Sequence, residues 1–359
     1  MNILYLYADT EDEWNCSEWR CAVPMRAINE QGKHAARMAA IRDWAMGKKD
    51  VDCEWADIII LQRLLMASLI PQIERWKSQG KVIVGEVDDA YNIMPPSVRA
   101  YRFWHEGFVR VETSRGVKEV KMAQPPWEQL IWSMKLVHAI TTPSMELCGD
   151  WRDYNPNVFY LPNYIDGEVY RPHRGKRDPD GRILIGWGGS FSHNDSWARS
   201  YLPEALRHIA AKNKDVYIVL AGGNVKVPEM VNIKDRILVT GWMPHSKWPA
   251  VLSSFDIGLI PLAGIYDRRR SWLKSLEYTF MGIPWIGSIG PPTRELAMYG
   301  TTITNSVKAW ERAIESCINH LEERQAEAKK NVDIGEKLTI QQNVNQVIKV
   351  YSTIIESVK

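Results

Sequence analysis

Short runs of apolar, β-favouring residues alternate with helix-like stretches twice along this chain, and that repeated alternation limits the fold more than any other feature. The first set is Asn2 to Ala8, Ala56 to Leu61, Lys81 to Val87, His138 to Thr142 and Val158 to Leu161, with helical stretches at Trp19 to Glu30, Ala67 to Ser78 and Pro143 to Trp151 between them. Alternation of this kind predicts a parallel sheet covered by helices on both faces. Pro162, Gly167, Pro172, Gly175, Pro179 and Gly181 then cluster with charged residues around 163 to 182, where a domain boundary is expected. The rhythm restarts with Arg182 to Trp187, Val216 to Ala221, Arg236 to Thr240, Asp256 to Pro261 and Ile283 to Gly287, and so predicts a second doubly wound sheet.

The expected organisation is an N-terminal α/β domain over 1 to 165, a second over 166 to 340, and a C-terminal helix over 341 to 359 that packs back on the first. A chain of 359 residues suits two domains of ordinary size. In the tail, Leu338, Val344, Val347, Tyr351 and Ile354 recur at helix-like intervals. Residues 108 to 124 break the pattern and suggest a hairpin or mobile loop around Ser114-Arg115-Gly116. Open α/β sheets bind ligands beyond the carboxyl ends of their strands, so a cleft between the domains is the expected site.

Charge excludes some function classes. The net charge of +2 is too small for a protein that holds nucleic acid by neutralising phosphates. Residues 1 to 165 hold 19 Lys and Arg against 22 Asp and Glu, a balance of −3, which leaves +5 for the remainder. An anionic ligand is therefore expected in the second half. No apolar run approaches the ~20 residues that span a bilayer, and Met1 to Ala8 lacks a preceding basic region, so a cytoplasmic protein is expected. The five cysteines form no CxxC pair, and they are read as reduced thiols with no zinc site. Sixteen tryptophans supply faces on which sugar rings pack, although most must serve as core.

Asp267 to Gly287, "DRRRSWLKSLEYTFMGIPWIG", carries the clearest chemistry: a basic loop, then a helix from about Ser271, then Gly282 and Pro284 as its stop. Arg270, Lys274 and Glu277 are spaced i, i+4, i+7, which places them on one helix face. A helix N-terminus attracts anions, Lys274 in the first turn adds a full charge, and a carboxylate one turn later can accept hydrogen bonds from ribose hydroxyls. By itself this spacing also describes an amphipathic helix with solvated charges. Gly188-Gly189-Ser190 follows a strand and suggests backbone amides near anionic oxygens, with His193 just beyond. Gly241-Trp242-Met243-Pro244-His245 follows another strand and is a candidate border for a nucleobase. In the first half, "GEVDDAYNIMPP" presents Glu86, Asp88 and Asp89 after a strand, where carboxylates could bind hydroxyls, act as a base, or hold Mg or Mn.

Taken in order, "TTPS" at 141 to 144, "LPNYIDGEVYRP" at 161 to 172, "IGWGGSFSHND" at 185 to 195, "VTGWMPHSKWPAVLSSFDIGLIPL" at 239 to 262 and the Lys274 to Glu277 segment resemble the markers of family 4 (group 1) glycosyltransferases. The resemblance implies the GT-B fold and metal-independent transfer of a hexose-type sugar, with retention, from a nucleotide diphosphate-sugar to a hydroxyl acceptor. It implies no cofactor, a UDP-, GDP- or ADP-sugar donor, and a carbohydrate or lipid-linked acceptor, compatible with peripheral contact at the inner membrane face. Lys274, Glu277, Arg270, Gly188, Gly189, Ser190, His193 and Trp242 would hold the donor. The family's sugar-contacting acid sits eight positions before the ribose glutamate; that position is Arg269 here, grouped with Lys274, Asp88 and Asp89 as catalytic, and Asp267 is the nearby substitute acid. A histidine usual in the family is replaced by the Asp88-Asp89 pair. A nucleotide-sugar 2-epimerase of the same architecture and a non-catalytic sugar-nucleotide binder are the alternatives. DNA bases are a further acceptor class, against which the acidic first half argues.

Overall fold

The computed structural model describes residues 1–9, 16–45, 50–63, 66, 69–113, 116–175, 180–222, 226–233 and 235–358. They form two units, Met1–Asn163 with Asn343–Lys359, and Tyr164–Gln342.

In the first unit the strands are β1 (Asn2–Tyr7), β2 (Ala35–Ala40), β3 (Ile58–Gln62), β4 (Val82–Glu86), β5 (Phe108–Thr113), β6 (Gly116–Lys121), β7 (Ala139–Thr142) and β8 (Val158–Tyr160). Six of them make one sheet in the order β2-β1-β3-β4-β7-β8, and every pairing is parallel. Ile3 to Leu6 and Ile58 to Leu61 are wholly buried, as strands covered on both faces must be. The chain winds outward from β1 in one direction to β2 and in the other to β3. The sheet therefore has a switch point between β1 and β3, and Asp9, Arg63 and Asp88 follow the carboxyl ends of β1, β3 and β4 there.

Strands β5 and β6 pair antiparallel in register from Phe108↔Lys121 to Thr113↔Gly116, which is the expected hairpin. The turn residues Ser114 and Arg115 lie outside the described residues, as do the first two residues of the helix expected over 67 to 78. The final helix, Ile340–Val358, counts with the first unit from Asn343 onward, and Tyr351 accepts a 3.2 Å hydrogen bond from Tyr5 of β1.

The second unit holds β9 (Ile183–Gly188), β10 (Val216–Ala221), β11 (Ile237–Thr240), β12 (Ile257–Ile260), β13 (Trp285–Ser288) and β14 (Thr301–Ile303). They form an all-parallel sheet in the order β11-β10-β9-β12-β13-β14, with its switch point between β9 and β12. Residues 189 to 193 and 261 to 273 emerge at that point.

Three glycines of β9 and β12 take aromatic rings against the sheet. A Cβ at Gly186 would lie 2.2 Å from the Phe255 ring, one at Gly188 2.3 Å from Trp248, and one at Gly258 2.7 Å from Tyr278. These rings form a file, with Trp248 to Phe255 centroids 6.0 Å apart and Phe255 to Tyr278 6.4 Å apart. Any side chain in those three positions would displace a ring from a close-packed layer.

Two edge strands, β2 and β14, were not expected. β2 is "AARMAA", without β-branched residues, and it exists because β1 pairs with it; β14 is three residues long and pairs with β13. The units divide at Asn163/Tyr164, and the Pro- and Gly-rich segment falls inside the second. Tyr170 within that segment is fully buried.

Candidate functional site

The helix carrying the basic motif runs Leu273–Met281 and ends on Gly282, whose φ of 70° suits a left-handed cap. Trp272 precedes it and makes no side-chain cap, so nothing in the cap position neutralises the positive end of the helix. The expected helical start near Ser271 is corrected by two residues, and Arg270 stands in the turn before the helix rather than on its face.

Lys274 is half-buried in the first turn. Its Nζ lies 5.5 Å from the centroid of the Trp187 ring, and the described residues give it no hydrogen bond or ion pair. Burial, reinforced by the charge of Arg270 and only partly offset by Glu277 and Asp267, pushes its pKa down to about 8. It is a cation held in a place that an anion would complete.

Arg270 ties the basic turn to the loop after β9. Its Nη2 donates to the Ser192 carbonyl at 2.7 Å and its Nε to Asp267 Oδ1 at 2.7 Å. Asp267 is 2% exposed, and its other oxygen accepts the Ala263 amide at 2.6 Å. The expectation that Asp267 meets a transferred sugar is therefore corrected: both of its oxygens are engaged in holding Arg270 and the 263–267 turn. Arg269, two residues past the end of the short Gly264–Asp267 helix, donates from Nη1 to the Ile265 carbonyl at 3.1 Å.

The glycine loop also differs from expectation. Gly188 is buried beneath Trp248, and the Gly189 amide donates to the Ala221 carbonyl at 3.0 Å within the sheet. Its amide is thus unavailable to an oxyanion. Ser190 Oγ is 2.9 Å from Ser192 Oγ. His193 packs edge-on to Trp187, with centroids 5.6 Å apart, and its Nδ1 is buried without a partner. Burial first, then the charges of Arg270 and Lys274, hold its pKa well below the usual histidine value, so it is neutral at pH 7.

Glu277 is 5% exposed. Two donors converge on its Oε1: the Tyr170 hydroxyl at 2.6 Å and the Trp248 indole N–H at 2.6 Å. Burial raises its pKa, while those two hydrogen bonds and the charge of Lys274 oppose the rise. Neither Tyr170 nor Trp248 was expected as a site residue. Both lie inside motifs quoted above, yet 107 and 29 residues separate them from Glu277, distances that no local spacing rule covers. Trp242, just past β11, is 42% exposed.

In the first unit, Glu86 is not a free acid. It is 1% exposed and forms a bidentate pair with Arg20 at 2.8 and 3.0 Å, while Thr141 also donates to it. Asp88 is likewise spoken for: Arg63 grips both oxygens at 2.8 Å and the Tyr91 hydroxyl donates at 2.8 Å. Burial would raise the Asp88 pKa, but the Arg63 charge and hydrogen bonds from Arg63, Cys16 and Tyr91 hold it far below the carboxylate range. An acid so strongly ionised makes a poor base at neutral pH, so the expected role of Asp88 in proton transfer is corrected to that of a partner for Arg63. Arg63 itself has a φ of 62°, in the left-handed region. Asp89 is partly exposed and accepts the Ala90 amide at 2.9 Å.

Among the described residues no group of three or more His, Cys, Asp or Glu is placed to hold a metal ion, and no helix is long and apolar enough to cross a membrane. None of the five cysteines is in a disulfide.

Residues 182–320 match the family described as "Glycosyl transferases group 1". A 2-deoxystreptamine N-acetyl-D-glucosaminyltransferase from Streptomyces fradiae is 29% identical over 92 residues, which span 24% of this chain and only 22% of that relative. Among solved structures, Anabaena HepE in complex with UDP and glucose is similar with a TM-score of 0.65, at 11% identity over 98% of this chain and 99% of that one. Sucrose-phosphate synthase from Thermosynechococcus elongatus gives a TM-score of 0.66 at 10% identity over 99% of both chains. A UDP-N-acetylglucosamine 2-epimerase structure from Listeria monocytogenes gives 0.58 at 10% identity over 99% of this chain and 97% of that one. With two parallel-sheet Rossmann-like units and these likenesses, the fold is GT-B.

Proposed function

We propose that the chain is a retaining, metal-independent glycosyltransferase that moves a hexose-type sugar from a nucleotide diphosphate-sugar to a hydroxyl of a carbohydrate or lipid-linked acceptor. The observation that carries the donor half of this reading is Lys274: a half-buried ammonium that makes no hydrogen bond or close ion pair among the described residues, at the uncapped start of a helix, beside Arg270. Diphosphate oxygens supply the missing counter-charge. The match of residues 182–320 to group 1 glycosyl transferases supports the same assignment.

As the glycosidic bond stretches, negative charge grows on the diphosphate and positive charge on the sugar. Cations already fixed at the phosphate therefore stabilise the transition state more than the ground state. Lys274 bears directly on that charge, and Arg270, held by Asp267 and Ser192, brings a second cation without reorganisation. Glu277 holds the ribose. The acceptor hydroxyl attacks from the face the leaving group departs, and the β-phosphate takes its proton; Asp88, locked as an anion by Arg63, is not asked to do so. Asp89 is retained as a hydroxyl partner.

Purified protein incubated with UDP-, GDP- and ADP-sugars and no acceptor should hydrolyse one of them slowly. Isomerised sugar would establish an epimerase instead, and thermal stabilisation without chemistry a binding protein. Lys274→Ala should slow turnover by ~100-fold or more and Glu277→Ala should weaken donor binding. Full activity in both variants would overturn the assignment.

A further inference from the structure

The donor reading leaves open how a buried carboxylate addresses a ribose diol. We infer that Tyr170 and Trp248 are positioning residues that commit Oε1 of Glu277 to the protein, so that Oε2 alone is presented to the nucleotide. The inference rests on the donor-site assignment for Glu277 and goes beyond it in saying which oxygen acts and what aims it.

Geometry carries the argument. Both donors end on the same oxygen, each at 2.6 Å, and the described residues place no donor on Oε2. A carboxylate oxygen offers about two lone-pair directions, so two such bonds fill Oε1. Neither donor can turn away. Tyr170 is fully buried, edge-on to Phe280 with centroids 6.1 Å apart. Trp248 stands in the file of rings against Phe255, and its Cη2 reaches the space where a Gly188 Cβ would be, 2.3 Å away. Gly188 thus acts on the site indirectly: its lack of a side chain admits the indole whose N–H orients Glu277. The chemistry is also selective for charge, because an N–H and an O–H that both point at one oxygen require an acceptor there. Protonation on that oxygen is disfavoured, and both hydrogen bonds pull the Glu277 pKa down against the effect of burial.

Calorimetric titration separates this inference from the reading beneath it. UDP, GDP and ADP are compared first, and the tightest is then measured against its 2′-deoxy and 3′-deoxy forms in the wild type, Tyr170→Phe, Trp248→Phe, Gly188→Ala and Glu277→Ala, at pH 7.5 and pH 6. In the wild type the deoxy form that lacks a hydroxyl meeting Oε2 is expected to bind ~10-fold or more weaker than the ribonucleotide, as for loss of one hydrogen bond to a charged group. Tyr170→Phe, which removes a single oxygen atom, should bind the ribonucleotide several-fold weaker while its affinity for the discriminated deoxy form is unchanged. The ratio between them then shrinks. It should shrink further at pH 6, where a Glu277 deprived of a donor protonates more readily. Trp248→Phe and Gly188→Ala, which deletes the donor and pushes it aside respectively, should do the same.

If Tyr170→Phe and Trp248→Phe melt normally and keep the wild-type ratio at both pH values while Glu277→Ala abolishes it, positioning by these residues is wrong and the donor site stands. If the wild type binds none of the three nucleotides, or Glu277→Ala keeps the ratio, the donor assignment itself falls.

Discussion

Binding of a nucleoside diphosphate should take up a proton at pH 9 and almost none at pH 7. Lys274 is held at about 8 in the free protein, and a diphosphate set against it returns it toward the ordinary lysine value of 10.5. With those two values the free side chain is mostly neutral at pH 9 while the bound one is nearly all charged, so uptake is about 0.9 proton, against about 0.1 at pH 7. Affinity is therefore greatest below pH 8 and falls toward ~tenfold per pH unit above it, as the cost of recharging the amine is taken from binding. Calorimetry with UDP or ADP in two buffers of different ionisation enthalpy reads the uptake directly. Lys274→Met is the control, since the residual uptake it shows belongs to other groups. The same depression acts on stability, because below pH 8 the folded chain carries an ammonium that burial disfavours. Lys274→Met should thus raise the melting temperature at pH 7. The ceiling is about 3 kcal/mol and, with the partial exposure of the side chain discounted, roughly 1–2 kcal/mol. That gain should narrow as pH rises through 8 toward 10.5. No uptake at pH 9, or equal uptake in Lys274→Met, would refute the idea that Lys274 awaits the phosphate.

Three further outcomes follow from the packing. Arg20→Met leaves Glu86 buried without its partner, and chemical denaturation should record a loss of about 3–5 kcal/mol. Arg63→Met should release Asp88 toward the ordinary carboxylate range; because the Asp88 pKa is depressed in the fold, its stabilisation is present above pH ~4 and lost as pH falls further, so the variant should show a weaker acid dependence of melting between pH 4 and 2. Gly186→Ala should cost about 1–3 kcal/mol or more, since its Cβ would sit 2.2 Å from the Phe255 ring, and a melt unchanged from the wild type would show that the ring file yields freely.

The alternation of apolar runs was legible residue by residue. Ten of the twelve strands in the two parallel sheets lie where the apolar runs put them, the central ones because a strand buried on both faces has to be written as a continuous apolar run. β2 and β14 escaped, since an edge strand takes its hydrogen bonds from a neighbour already in place and needs little propensity of its own. Lys274 and Glu277 were equally visible, three residues apart on one helix.

What the chain could not announce is which polar groups would be consumed by other polar groups. Asp88 and Asp267 looked like free acids in the sequence, yet Arg63 and Arg270 hold them. Gly188 and Gly189 looked like an open phosphate turn, yet one makes room for an indole and the other donates its amide to β10. Glu277 was identified, but not the Tyr170 hydroxyl that reaches it from 107 residues away. Local order follows from a period that repeats within a few residues, whereas the pairing of a buried charge is decided by whichever donor the folded chain brings within 3 Å, and only the tertiary structure contains that distance.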